Sequence, residues 1–314
     1  MIEVKQYTEQ YRNEWNRFLS TCKNRHFMFH RDYMGYHADR YLEYSHLFFK
    51  KNRLVAILPA NLDEKDVISH GLLTFGGVLY DGKMTIALML EVFDTLIDLF
   101  RQKGIKSFIY KAIPHIYHQY PAEEDLYALF RNKANLYRRD VSCAIELTGK
   151  PQLTKGKKWS IKKAAKMDDL EIKESEDLAQ FWSLLNDLLD KKYGKRPVHN
   201  LKEIRSLKIS FPNQIKLFGV HHKGELIGGS LMFENGKTVH TQYIASNDHC
   251  REIGGLDALF SFLISKQYAE RRFFNFGISN DKEGWYLNEG LTSFKEGFGA
   301  RAIVHDFYRI SINS

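Results

Sequence analysis

Cysteine is scarce in this sequence: Cys22, Cys143 and Cys250 are the only three in 314 residues, widely spaced and without a C-x-x-C pair. Neither a disulfide framework nor a zinc-ligand spacing can be built from them, so they are expected to be reduced, buried thiols, and no metal site is expected. Long apolar runs are also missing. No window approaches the ~18 consecutive apolar residues that span a bilayer, and Met1 opens directly onto IEVKQY without an apolar signal core. A cytoplasmic protein is expected. The sequence also has no P-loop, no nucleophile elbow and no Ser-His-Asp order, the usual signatures of nucleotide hydrolysis and of covalent acyl transfer.

What is present is an ordinary globular composition, 44% hydrophobic and 27% charged, long enough for two domains. The formal net charge of +8 favours polyanionic partners: CoA, nucleotide-activated precursors, tRNA or an anionic lipid surface.

Hydrophobic periodicity divides the chain into two halves with one order of elements. The first half offers a helix around Trp15, Phe18 and Leu19, an amphipathic stretch from Arg31 to Arg40, and a hairpin of HLFFKKN (46–52) and LVAILPA (54–60). A Gly-punctuated strand over 72–80 follows. The residues Ile86, Met89, Leu90, Phe93, Leu96, Ile97 and Phe100 recur at three and four, which makes one buried helix face, and Gly104 stops that helix. Strands at 106–110 and 142–147 flank a helix at 123–133. The second half opens with LEIKES (170–175) and a helix through Phe181, Trp182, Leu185, Leu188 and Leu189. A hairpin over 216–233, a strand over 238–245 and a helix through Leu256, Leu259, Phe260 and Leu263 come next. The half closes on a strand at 273–277, a short helix at 289–296 and a strand at 305–310. Two matching orders point to an internal duplication. Between the halves lies KPQLTKGKKWSIKKAAK (150–166), with a Pro, a Gly and a dense lysine run. The expected division is therefore a domain over 1–150, a basic linker helix over 151–166 and a domain over 167–314.

An antiparallel meander with a long helix after its third strand, then strand, helix and strand, resembles the order of the Gcn5-related (GNAT) acyltransferases. Two segments are similar to the tandem, Fem-like members that build peptidoglycan cross-bridges and to their relatives in surface-polysaccharide operons. KKWSIKKAAK (157–166) resembles the basic helix joining their two domains, and YLNEGLTSFKEGFGA (286–300) resembles their last helix and its F-K-x-G-F-G turn. The opening pattern of Trp15, Phe18 and FMFHRDYMGYHADRY (27–41) fits as well. The resemblance implies an α/β (α+β) fold of two tandem GNAT-like domains, each a mixed, mostly antiparallel sheet flanked by helices.

In this family the third and fourth sheet elements splay apart and the acyl donor lies in the gap, because a bulge frees backbone groups to pair with a pantetheine arm. The resemblance thus puts a donor against Tyr243, Ile244 and Ala245, and a pyrophosphate at the helix-entry turn of Arg251, Gly254 and Gly255. That turn is degenerate, since the last position of the family's Q/R-x-x-G-x-G/A pattern is Leu256. Many acetyl-CoA enzymes carry a thiolate-protonating Tyr four residues before the Gly of the closing turn, and here Ser293 stands there. Lys295 occupies the Fem-type lysine position, where its charge would stabilise an oxyanion or a leaving ribose oxygen. Tyr286, Asn288 and Glu289 are candidates for the acceptor cleft, with Asn288 equally fit to cap the last helix. Lys158 and Lys162, on a basic helix face with Lys155, Lys157, Lys163 and Lys166, are candidates to grip acceptor phosphates, and Trp159 and Ile161 on that helix suggest docking. His221 and His222, and His115 and His118, rank lower as bases or ligands.

The reading that results is transfer of an acyl group from acyl-CoA (acetyl-CoA) to an amino group of a cell-envelope or polysaccharide precursor, a small-molecule or nucleotide-linked amine. The alternatives are an aminoacyl-tRNA donor and a non-catalytic binding module. The span 176–212 has room for two ordinary helices but not for the long helical hairpin of some tRNA-using relatives, which weighs toward CoA.

Overall fold

The computed structural model describes residues 1–37, 40–149 and 151–312. The expected positions Ala38, Asp39 and Lys150 lie outside the described residues. Two compact units emerge, one of Met1–Asp140, Lys282–Gly284 and Val304–Ser314, the other of Val141–Asp281 and Trp285–Ile303. The basic helix, Lys155–Ala164, falls inside the second unit, and the final strand, Arg301–Ser311, gives most of its length to the first.

The first unit holds an antiparallel sheet in the order Ile2–Gln6, His46–Lys50, Arg53–Leu58, Leu79–Tyr80. A second sheet of this unit runs from the final strand through Ser107–Lys111, Asp66–Ile68 and Asn61–Asp63 to Leu42–Glu43. The long helix forms as its spacing predicts, over Ile86–Gln102. Thr85 Oγ1 caps it by accepting from the Leu88 N–H, and Gly104 ends it at φ 68°. Its buried face of Met89, Val92, Phe93, Leu96 and Phe100 packs on Phe108 and Tyr110. Each such side chain contributes about 1.5–3 kcal/mol by leaving water.

Three sequence expectations change here. The stretch 31–40 is helical only over Arg31–Met34, with a 3-10 turn at Gly35–His37. The strand expected over 72–80 shrinks to Leu79–Tyr80, because a side chain replaces the ladder. The buried Lys111 ammonium donates to the carbonyls of His70, Gly71 and Leu73, and Gly76 N–H bonds the Lys111 carbonyl. The strand expected at 142–147 extends over Asn135–Glu146.

The second unit carries a sheet in the order Leu170–Ser175, Ile215–His222, Glu225–Asn235, Thr238–Ser246, Phe273–Ile278 and the 141–146 part of Asn135–Glu146. All neighbours are antiparallel except Thr238–Ser246 with Phe273–Ile278, which run parallel. The span 176–212 holds two helices, Leu178–Tyr193 and Leu201–Ser210. The last helix, Glu289–Glu296, is fixed by aromatic packing: Phe294 and Phe298 meet Phe260 and Phe276 with ring centroids 5.6–6.4 Å apart. All three cysteines are free and buried.

Candidate active site

The site begins with a lost ladder. Leu231 pairs with Tyr243 and Met232 with Thr241, so Gln242 is an extra residue that bulges the Thr238–Ser246 strand. On its other side, Thr238, Val239 and His240 pair with Phe273, Phe274 and Asn275, and the pairing ends there. Beyond that point Gly277 turns to φ 78°, a conformation that favours glycine, and its N–H bonds the Asn275 side chain at 2.9 Å. The two strands part as the sequence expectation required.

Parting leaves carbonyls without ladder partners, and Lys295 takes them. Its Nζ donates to the carbonyls of Gly277 and Ile278 and to Ser279 Oγ, each at 2.8 Å. The side chain is only 2% exposed. Burial pushes its pKa down to about 8, so it is mostly charged at neutral pH. This replaces a surface lysine on a terminal helix with an ammonium held in the splay, all three of its donors engaged.

Across the gap, Tyr243, half-buried, is paired with the buried His199. Its hydroxyl lies 2.7 Å from His199 Nδ1 and accepts the His199 backbone N–H at 3.3 Å. Trp182 packs edge-on at 5.4 Å and donates its indole N–H to the His199 carbonyl. Burial pushes the phenol up to about 12, so Tyr243 is neutral at physiological pH. Thr241, nearby on the same strand, has a buried hydroxyl with no hydrogen-bond partner. His199 escaped the sequence reading because it stands beside Asn200, which opens the next helix with a capping box. The one hint was its place after Lys-Arg-Pro in an otherwise helical span. Ile244 is half-buried and Ala245 buried, paired with Ser230 and Gly229.

The helix-entry turn is folded inward. Asn247 caps the short helix Asp248–Ile253, accepting from Cys250 N–H at 2.9 Å. Gly254 follows at φ 78°, and Leu256 N–H bonds the buried Cys250 thiol, which burial raises to about 12. Arg251 bends back to the Ser246 carbonyl and to Asp248. Over the turn sits the basic helix: a Cβ on Gly254 would lie 2.7 Å from the Ser160 carbonyl oxygen. Lys157 crosses to Asp257 at 2.6 Å and stacks on the Phe294 and Phe298 rings, while Lys163 donates to the Glu252 carbonyl.

Beside that ion pair opens a cavity of ≈ 620 Å³, lined among others by Lys157, Asp257, Ser293, Phe294, Gly297 and Arg301. Ser293 thus faces a cavity, while Lys295, two residues on, faces the splay from the other side of the helix. Asn288 caps that helix, its side chain accepting from Leu291 N–H at 3.0 Å. Glu289 is exposed in its first turn, and Tyr286 is exposed in a two-residue pairing with Asp281. Lys158 and Lys162 point to solvent, away from the cavity, and Trp159 is exposed rather than docked. His222 bonds His249 at 2.9 Å, His118 bonds the Ile113 carbonyl, and no three His, Cys, Asp or Glu cluster among the described residues.

No protein-family model and no curated protein matches the sequence. Solved structures do. FemX aligns with TM-score 0.68 at 9% identity, over 98% of this chain and 97% of its own. The C-terminal domain of a putative lysylphosphatidylglycerol synthetase from Agrobacterium fabrum aligns with TM-score 0.57 at 14% identity, over 82% of this chain and 81% of its own. A tandem GNAT protein of the clavulanic acid pathway aligns with TM-score 0.51 at 10% identity, over 100% and 99%. At such identities the likeness speaks to architecture: this chain shares the overall fold of FemX and of the tandem GNAT protein.

Proposed function

We propose that this protein is an acyltransferase that passes an acyl group to an amino group of a cell-envelope or polysaccharide precursor, with the reacting carbonyl seated in the splay of the second unit. The observation that carries the reading is the bulged, parted strand pair with a buried ammonium at its centre and the hydrogen-bonded Tyr243–His199 pair on its flank. In the reaction the amine nitrogen bonds to the donor carbonyl carbon and the carbonyl oxygen gains negative charge. The bond to the leaving oxygen or sulfur then breaks, and the amine's proton ends on that leaving group. A fixed positive charge in a dry site favours the anionic stage. The Tyr243 hydroxyl, hydrogen-bonded to His199 Nδ1, is placed to orient the amine and relay its proton.

The entry turn favours an aminoacyl ester, as on tRNA, over acyl-CoA. The Gly254 and Leu256 N–H groups are spent on the Arg251 carbonyl and the Cys250 thiol, and the basic helix lies over the turn, so it offers a pyrophosphate less than helix N-termini usually offer. The second reading, acyl-CoA, is supported by the ≈ 620 Å³ cavity beside Lys157, Ser293 and Arg301, which is of ligand size. The test is to incubate the protein with labelled aminoacyl-tRNA or labelled acetyl-CoA and a panel of UDP-linked and lipid-linked amines. Acceptor-dependent loss of label from aminoacyl-tRNA is expected. Consumption of acetyl-CoA alone selects the second reading, and consumption of neither ends both.

A further inference from the structure

The basic helix Lys155–Ala164 has two faces with different fates. Lys157, Ser160, Ile161 and Ala164 point inward: Lys157 is paired to Asp257, Ser160 abuts Gly254 and Ala164 is fully buried. Lys155, Lys158, Trp159, Lys162 and Lys163 follow at spacings of three and four on the other face, and Lys166 extends the row just past the helix end. Every one of these six is exposed. The segment 154–166 contains no acidic residue to offset the lysines. Among the described residues Lys155, Lys158, Lys162 and Lys166 have no carboxylate partner, and Lys163 bonds only a backbone carbonyl and stands 5.6 Å over the Trp159 ring. Trp159 itself is 66% exposed, an unusual place for the most costly apolar side chain to leave in water.

We infer that this face docks the protein on an anionic lipid surface, with five lysines facing the headgroup charge and Trp159 entering the interface between them. The inference goes beyond the acyl-transfer reading and does not depend on the donor. Charge complementarity selects a sheet of negative charge over a structured nucleic acid. The face carries only lysine ammoniums, compact point charges without the planar, bidentate geometry that arginine brings to phosphate recognition in RNA. No Asn, Gln or Arg stands among them to read bases or riboses. An indole with one polar edge suits the headgroup level of a bilayer, and flanking lysines hold it there. The apolar side of this helix is already packed on the protein, so attachment is electrostatic with a single anchor: reversible and sensitive to salt. Among the described residues no helix is long and apolar enough to cross a membrane, and a peripheral face of this kind would bring the enzyme to lipid-linked acceptors.

The experiment is vesicle co-sedimentation of the full chain with phosphatidylcholine alone and with phosphatidylcholine containing roughly a third phosphatidylglycerol. Binding is expected only to the anionic vesicles, weakening as salt rises. Replacing Lys155, Lys158, Lys162 and Lys166 together by Gln should reduce it by roughly a hundredfold or more, at about fivefold per lysine. Trp159→Ser should weaken it several-fold while Trp159→Phe keeps most of it, and an unchanged thermal midpoint shows that each variant folds. The inference is overturned if the wild type ignores anionic vesicles, or if the fourfold variant binds them equally well. It is likewise overturned if unfractionated tRNA binds through these lysines while vesicles do not, which would assign the face to RNA.

Discussion

The two units part the same pair of strands and fill the gap in opposite ways. In the first, Leu79–Tyr80 pairs with Ala56 and Ile57 on one side only. Elsewhere its polar groups are consumed by side chains and by the Lys23 backbone N–H, which bonds the Tyr80 carbonyl. Asn24 bonds the Val78 carbonyl and Tyr80 N–H, and Tyr110 accepts from Val78 N–H while donating to buried Asp125, which Tyr80 also reaches. In the second unit, Lys295 satisfies one strand while Thr241 and the Tyr243–His199 pair stand on the other. The first gap is plugged with its own polar network; the second keeps an ammonium and an unpaired hydroxyl at its heart.

The comparison breaks most visibly at the two buried lysines. Lys111 and Lys295 each spend an ammonium on backbone oxygens, and burial lowers them to about 7 and about 8. Lys295→Met and Lys111→Met should each cost roughly 2–4 kcal/mol, because acceptors are left buried without donors. Only Lys295→Met should also reduce transfer by two orders of magnitude or more in the folded fraction. Equal activity losses at equal stability would erase the distinction between the units. The pH dependence has a definite sign. The folded state releases the Lys295 proton near pH 8 and the unfolded state near 10.5, so the unfolded state holds more protons between those values. The wild type's stability advantage over Lys295→Met should therefore widen as pH rises through that window, by about 1.4 kcal/mol per pH unit at most. Denaturant midpoints of the pair at several pH values check it.

A smaller effect is expected at the flank of the active gap. Tyr243→Phe removes the partner of both His199 Nδ1 and the His199 backbone N–H, and should cost about 1–2 kcal/mol of stability. Its larger signature is a fall of roughly ten- to a hundredfold in kcat with KM little changed. His199→Gln, which keeps a hydrogen-bonding group beside the phenol, should fall less. An unaltered kcat in Tyr243→Phe would leave the pair a packing device.

How much of this was legible depends on what each residue contributes. The long helix and the last helix announce themselves by spacing, Gly104 and Asn288 by cap chemistry, and the splay by a resemblance that quoted the right strand. Lys295 could be located in the sequence but not oriented. That it faces inward follows from the lost ladder between residues 240–241 and 275–277, a tertiary event with no local signature. His199 was missed for the same reason, since its partner lies 44 positions away. Trp159 was read as docked, whereas its lysine-rich neighbours hold it in solvent. The entry turn looked open because glycines usually make room for a ligand; Gly254 makes room for Ser160. Gly254→Ala should then cost about 1–3 kcal/mol, from strain at positive φ and a clash with a backbone carbonyl. Increased proteolysis within 154–166 would show that the basic helix has lifted.

The finest test of the plugged gap is Asp125. It is fully enclosed, and burial raises its carboxyl to about 6. The folded state then holds its proton between pH 3.8 and 6 while the unfolded state has released it, so this group's contribution to stability falls as pH rises through that window. Buried neutral histidines push the other way, since His46, His118 and His305 are each lowered to about 4 and stabilise the fold as pH rises above that value. The wild-type curve alone therefore mixes two signs, and the informative quantity is the difference from Asp125→Asn, which keeps shape and hydrogen bonding but cannot ionise. Wild type should lose ground to Asp125→Asn between pH 4 and 6, by about 1.4 kcal/mol per pH unit at most, with transfer activity at neutral pH unchanged. A parallel pair of curves would mean that Tyr80 and Tyr110 hold the carboxylate as easily as the acid, and the plug would then be an anion site and not a neutral network.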